Sequence, residues 1–147
     1  MGMLAFGEML PHHENRMYLN EEKRDKWGLP TVTFDCEFKE NEKIMRKDMA
    51  IAGAEMLEAA GFKNIETSDE GSYPGLGIHE MGTARMGRDP KTSVLNGNNQ
   101  IHTVPNVFVT DGACMTSSAC QNPSITYMAL TARACDFAVK QLNRQEL

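Results

Sequence analysis

The run Gly75-Leu-Gly-Ile-His-Glu-Met-Gly-Thr-Ala-Arg-Met-Gly87 constrains this chain more than any other stretch. Glycine recurs too often in it for the interior of a helix or strand, so it must be a loop, and the regular elements have to form on either side. It sets one histidine, His79, on a permissive backbone with Thr83 and Arg85 close by. Polar chemistry presented this way is where a ligand can come close to the main chain. Further along, Ser117 to Val139 reads SSACQNPSITYMALTARACDFAV, in which a loop-borne Asn122 opens a helix through Pro123. The expectation is that these two stretches meet at one site.

At 147 residues the chain has the size of one ordinary domain and is long enough to bury a core without a staple. A hydrophobic share of 41% against 24% charged is a globular balance. The net charge of -5, with basic residues scattered among acids, argues against a nucleic-acid or anionic-membrane partner. No apolar run approaches the roughly eighteen residues of a transmembrane helix. The opening MGMLAFGEMLPHH lacks the basic start and long apolar run of a signal peptide and reads as a strand entered abruptly. The compartment, cytoplasm or periplasm, stays open, because an export signal of a longer parent would lie upstream of Met1. Cys36, Cys114, Cys120 and Cys135 form no CxxC pair and read as buried, unpaired thiols.

In order, Leu4 to Leu10, Arg16 to Leu19 and Thr31 to Phe38 are apolar runs punctuated by Pro11, Asn15, Asn20, Gly28 and Pro30. They suggest a three-stranded antiparallel meander with a charged turn or short helix around Glu21 to Lys26. The alternation over 31–38 places Val32, Phe34, Cys36 and Phe38 on one half-buried face. From Asn41 to Ala60 the period turns helical, with Met45, Met49, Ala52, Met56 and Ala60 as a core stripe widened by Ile44 and Leu57. Asn41 is the expected N-cap and Gly61 the stop. Phe62 to Ile65 reads as a short strand and Glu66 to Gly71 as a polar loop. Asn96 to Gln100 is a polar connection, Val104 to Asp111 a strand ending in an Asp-Gly turn, and Pro123 to Leu142 a helix with Pro at its first position. That helix is expected to bury Ile125, Met128, Ala129, Ala132, Cys135 and Val139.

Histidine has an ordinary pKa near 6.5, so His79 can take or return a proton at neutral pH. The Asn122 amide donates a hydrogen bond but cannot act as a base. The helix start beside it offers free N–H groups and the positive end of a dipole, which stabilise developing negative charge. The Asp111-Gly112 turn, at the carboxyl end of a strand, is a frequent ligand contact, although a plain turn explains it as well. The remaining candidates have plainer readings. His102 is a buried hydrogen-bonding residue and His12 and His13 are solvent-side; a zinc site would need ligands that the flanking sequence does not supply. Arg85 binds phosphate or substrate or makes an ion pair that supports the loop, Glu80 touches substrate or pairs with Arg85, and Thr83 braces the loop.

HEMGTARMG from His79, NVFVTDGACM from Asn106 and QNPSITYMALTARACDFAV from Gln121 together resemble the carboxyl-terminal portion of glucose-methanol-choline (GMC) flavoprotein oxidoreductases. The likeness covers about residues 75–140 and is nearest to the branch that oxidises sugars and sugar acids. It implies an α+β fold, a mostly antiparallel sheet packed against helices. The chain would then be a single partial carboxyl-terminal domain over 1–147, with 1–65 as part of the substrate domain and 75–140 carrying the catalytic and flavin-contacting motifs. It also implies oxidation of an alcohol carbon by hydride transfer to FAD. The family's base maps onto His79, and its second catalytic position, histidine or asparagine before the helix proline, onto Asn122. Asp111, Gly112 and Ala113 would approach the FAD diphosphate and ribityl chain, while Asn122, Pro123 and Ser124 would set the helix start against the flavin. Glu80 stands where many relatives have proline.

The family's amino-terminal Rossmann fingerprint, GxGxxG, is absent: Gly75-Leu-Gly77 is followed by Glu80 where the third glycine belongs. The chain is therefore expected to be a piece of a longer FAD-dependent enzyme that does not hold FAD by itself. Its partners would be a sugar or other alcohol substrate, the parent's FAD-binding domain and an electron acceptor. The competing expectation is a noncatalytic binding or assembly module that completes a flavin site on another chain.

Overall fold

The computed structural model describes residues 1–69 and 73–147, which form two compact units, Met1–Leu76 and Gly77–Leu147. The fold is α+β: two antiparallel two-stranded sheets and two long helices.

In the first unit, β1 (Arg16–Arg24) pairs with β2 (Pro30–Asp35), with Met17 opposite Phe34 and Leu19 opposite Val32. The turn between them is built by Asp25, whose Oδ1 accepts from the Trp27 and Leu29 N–H groups at 2.9 Å, and by Gly28 at φ +84°. This corrects the turn expected at Glu21–Lys26, since a carboxylate that caps two N–H groups fixes the reversal later. The segment 4–10 is not a strand, so the meander has two strands rather than three. It lies instead over α1 (Glu40–Ala59), where a Cβ on Gly7 would come within 2.6 Å of Met45 Cε.

The start of α1 is governed by Glu42, not Asn41. Glu42 is 1% exposed, and its carboxylate accepts from the Lys39 N–H at 2.9 Å and the Leu10 N–H at 3.1 Å. Reaching back from the third helical position to the cap N–H, it satisfies donors the helix leaves open. The same carboxylate lies 3.4 Å from His12 Nε2, which is buried, so His12 is not the solvent-side residue expected; His13 is exposed. Gly61, at φ +88°, ends α1 as expected. Residues 62–65 form no strand, and of the polar loop at 66–71 the last two positions lie outside the described residues.

Among the described residues, Leu95, Cys114, Pro123 and Ala134 are the buried apolar ones. The expected stripes are largely uncovered. On β2, Val32, Phe34 and Cys36 are exposed; on α1, Met45, Met49, Ala52 and Leu57 are half-buried while Ile44, Met56 and Ala60 are exposed. Of the four free cysteines only Cys114 is buried. The residue pattern marks these faces as apolar, but burial requires a second surface to meet them.

In the second unit, β3 (Gln100–Ile101) and β4 (Val104–Phe108) make a short hairpin within the expected polar connection and strand. The chain then enters the 3-10 turn Gly112–Cys114 and, after a loop, α2 (Ser124–Asn143). The face of α2 turned inward is Tyr127, Leu130, Thr131, Ala134, Phe137 and Ala138, with Phe137 edge-on to Phe108 at 6.3 Å. Ile125, Met128, Ala129, Ala132, Cys135 and Val139 face outward instead. The helix is apolar on both sides, so periodicity alone did not say which side the hairpin would cover.

Candidate active site

His79 and Asn122 meet. His79 Nε2 lies 3.0 Å from Asn122 Oδ1, bringing together the glycine-rich loop and the approach to α2. His79 is half-buried and Asn122 exposed. The residue before the histidine, Ile78, takes φ +65°, an uncommon conformation for a β-branched side chain. Glu80 holds this bend: its Oε1 accepts from the Gly77 N–H at 2.8 Å and the Ile78 N–H at 3.2 Å. Glu80 is thus a backbone clamp and makes no ion pair with Arg85; Thr83 is exposed, with no side-chain hydrogen bond among the described residues.

Two main-chain bonds fasten the loop to the 3-10 turn, from the Ala84 N–H to the Ala113 carbonyl and from the Met86 N–H to the Cys114 carbonyl, both 2.9 Å. Asp111 opens that turn, its Oδ1 accepting from the Ala113 N–H at 2.9 Å. Gly112 is where the pieces converge. A Cβ there would sit 2.7 Å from the Glu80 carbonyl oxygen and 3.0 Å from the Tyr127 hydroxyl, so only glycine lets loop, turn and helix close on one another. Burial raises the Tyr127 phenol, and the charges of Asp111, Cys114 and Glu80 push it the same way. It stays protonated at neutral pH, with its hydroxyl directed at Met81 Sδ, 3.5 Å away.

At the start of α2, Pro123 is buried and Ser124 exposed. Pro123 supplies no side-chain cap, and its carbonyl accepts from the Thr126 and Tyr127 N–H groups. The Ser124 and Ile125 N–H groups are left without an acceptor among the described residues. Open donors at the positive end of a 20-residue helix suit an oxygen that carries or gathers negative charge. The residues present therefore fit the flavin edge that the resemblance implies. In that arrangement Asn122, Pro123 and Ser124 would hold the ring end and Asp111, Gly112 and Ala113 the chain that leads from it.

Sequence reading missed Asn99, which is fully buried at φ +65°. Its Nδ2 donates to the Val109 carbonyl at 3.0 Å, and its Oδ1 accepts from Arg133 Nη2 at 3.0 Å. This fixes the strand end that delivers Asp111 against α2. The clue was the Asn96-Gly-Asn-Asn cluster, whose asparagines suit left-handed backbone. Cys114 beside it is buried; desolvation raises its thiol, against a lowering hydrogen bond to Asn99, so it is a packing group rather than a nucleophile. His102 is half-buried with Nε2 3.0 Å from Ser93 Oγ, a hydrogen-bonding residue as expected.

Comparison with known proteins shows the family. The profile of the GMC oxidoreductase family matches residues 11–131. The chain is 38% identical over 145 residues to 2-methyl-1,2-propanediol dehydrogenase of Mycolicibacterium austroafricanum, covering 96% of this chain and 25% of that protein. It is 30% identical over 139 residues to the fructose dehydrogenase large subunit of Gluconobacter japonicus, covering 93% and 25%, and 32% identical over 124 residues to paromamine 6'-oxidase of Streptomyces fradiae, covering 84% and 23%. It spans about a quarter of the length of these relatives. With the matched region reaching from the strands of the first unit into α2, the chain belongs to the GMC oxidoreductases, FAD-using proteins that act on CH–OH donors, as their carboxyl-terminal domain.

Proposed function

We propose that this chain is the carboxyl-terminal part of an FAD-dependent enzyme that oxidises an alcohol group of a sugar or sugar acid, with His79 as the proton base. The observation that carries the reading is the 3.0 Å contact between His79 and Asn122 beside the open end of α2. Names of relatives support a polyol or sugar substrate, fructose in one and a small diol in another.

FAD, when bound, supplies the hydride acceptor. What this chain's own residues do follows from their donors and acceptors. With Asn122 Oδ1 as acceptor, His79 Nε2 carries the proton and the Asn122 NH2 is left to donate to a substrate oxygen. For His79 Nε2 to receive the hydroxyl proton, the neutral ring must be in its other tautomer, with the proton on Nδ1 and the lone pair on Nε2, and a substrate hydroxyl must replace the Asn122 oxygen as its neighbour. Asn122 then holds the same hydroxyl oxygen by its amide, and the departing carbon-bound hydrogen is aimed by two fixed contacts. The Ser124 and Ile125 N–H groups, open at the helix start, would stabilise negative charge on a flavin held there.

The test is His79→Ala in the FAD-loaded protein that contains this chain. Flavin reduction by substrate slows by about 10²–10⁴-fold while FAD stays bound, the range for loss of a positioned base. An unchanged reduction rate would sink the assignment. The competing reading is a noncatalytic module completing another chain's flavin site. It expects a separate partner carrying the GxGxxG fingerprint to copurify.

A further inference from the structure

A shallow cleft opens within the Gly77–Leu147 unit, lined by Met86, Gly87, Arg88, Asn96, Gly97, His102 and Arg133. It is open to solvent, with about 450 Å³ of space. No residue of the proposed His79–Asn122 site lines it.

Its chemistry is cationic in a chain of net charge -5. Neither Arg88 nor Arg133 has a carboxylate partner among the described residues, although the chain carries 20 acidic side chains against 15 basic ones. Arg133 is also aimed. Its Nη2 donates to Oδ1 of the fully buried Asn99 at 3.0 Å and to Met86 Sδ at 3.6 Å. Both contacts use the same nitrogen, so Nε–H and the Nη1 pair remain for a ligand. A guanidinium fixed by a buried amide loses little freedom on binding, which favours a bidentate oxyanion.

The opposite wall is oriented in the same way. Ser93 Oγ lies 2.8 Å from the Asp89 carbonyl oxygen and 3.0 Å from His102 Nε2, and so holds the imidazole against the 89–93 turn. Gly87 is required here: a Cβ would lie 2.6 Å from Ser93 Cβ. Across the cleft Gly97 has open space, with nothing within 4 Å of a Cβ built on it.

From this the geometry points to a binding site for a phosphate-type oxyanion, held between the guanidinium groups of Arg88 and Arg133, separate from the proposed alcohol-oxidising site. Three or more oxygens are needed to use two planar forks at once, which a phosphate has and a carboxylate lacks. The source is either the free ion or the phosphomonoester of a small metabolite.

Two-dimensional ¹⁵N–¹H spectra of the 147-residue chain, titrated with inorganic phosphate at constant ionic strength, test it. Saturable shifts are expected at Gly87, Arg88, Asn96, Gly97 and His102. Arg88→Gln weakens binding by about tenfold, the loss of a charge-assisted contact, and Arg85→Gln leaves it unchanged. Should Arg88→Gln disturb the fold, Gly97→Asp, which places a carboxylate in open space, abolishes binding instead. A parallel titration with glycerol phosphate tells the sources apart: tighter binding marks a phosphomonoester site, equal binding a site for the ion. Unsaturable shifts, equal response to chloride or acetate, or an Arg88→Gln chain that binds as before would each overturn the site.

Discussion

Glu42 shows how one residue can decide a local structure. It is an acidic side chain on a helix whose neighbours suggest a solvated face, yet it is the most buried residue of α1. Burial pushes its carboxyl upward, but the Leu10 and Lys39 N–H bonds outweigh this and hold it at about 2, below its ordinary 4.5. Because the folded value is the lower one, its contribution to stability is complete above about 4.5 and is lost as pH falls from there towards 2. Glu42→Gln is expected to destabilise the chain by roughly 1.5–3 kcal/mol at pH 7, since an amide cannot accept at both oxygens as the carboxylate does. The difference from the parent should shrink between pH 4.5 and 2 in urea denaturation. A gap that does not narrow would place the effect in packing. His79 was legible because glycines isolate it; Glu42 was not, because the donors it serves lie 32 residues upstream at Leu10 and at the helix cap.

Among the elements, α2 carries the clearest disagreement between pattern and placement. Its length and its start after Asn122 were legible from proline, apolar spacing and the polar residues before it. Which side it buries was not. Small and apolar residues occupy both sides, and the side chosen is the one Phe108 reaches from β4. Met128 is 70% exposed and Ile125 77%, so Met128→Ala should shift the stability of this chain by no more than about 0.5 kcal/mol. Phe137→Ala, which removes the half-buried ring facing Phe108, should cost about 1–3 kcal/mol. Thermal or urea unfolding of the two variants separates these, and equal losses would restore the stripe expected from sequence. The β1–β2 hairpin repeats the lesson: Met17, Leu19, Val32 and Phe34 share one face, as alternation requires, and that face is exposed.

For the molecule as a whole, many large apolar side chains are uncovered, and among the described residues few apolar ones, Leu95, Cys114, Pro123 and Ala134, are buried. No helix among the described residues is long and apolar enough to cross a membrane. On the proposed reading, the purified 147-residue chain binds FAD weakly or not at all; a stoichiometric flavin absorbance that copurifies would refute it. Coexpression with the fingerprint-bearing part of a GMC enzyme should restore flavin retention. The sequence by itself determined the α+β class and the two long helices and marked His79, Asn122 and Asp111 as candidates, because short-range signals of glycine, proline and periodicity record local conformation; the family was legible in its motifs. Only the tertiary structure decided that His79 meets Asn122, that Gly112 is the contact point of loop, turn and helix, and that Asn99 aims Arg133. These depend on which surfaces close together across long separations in the chain, and a one-dimensional pattern carries no term for that.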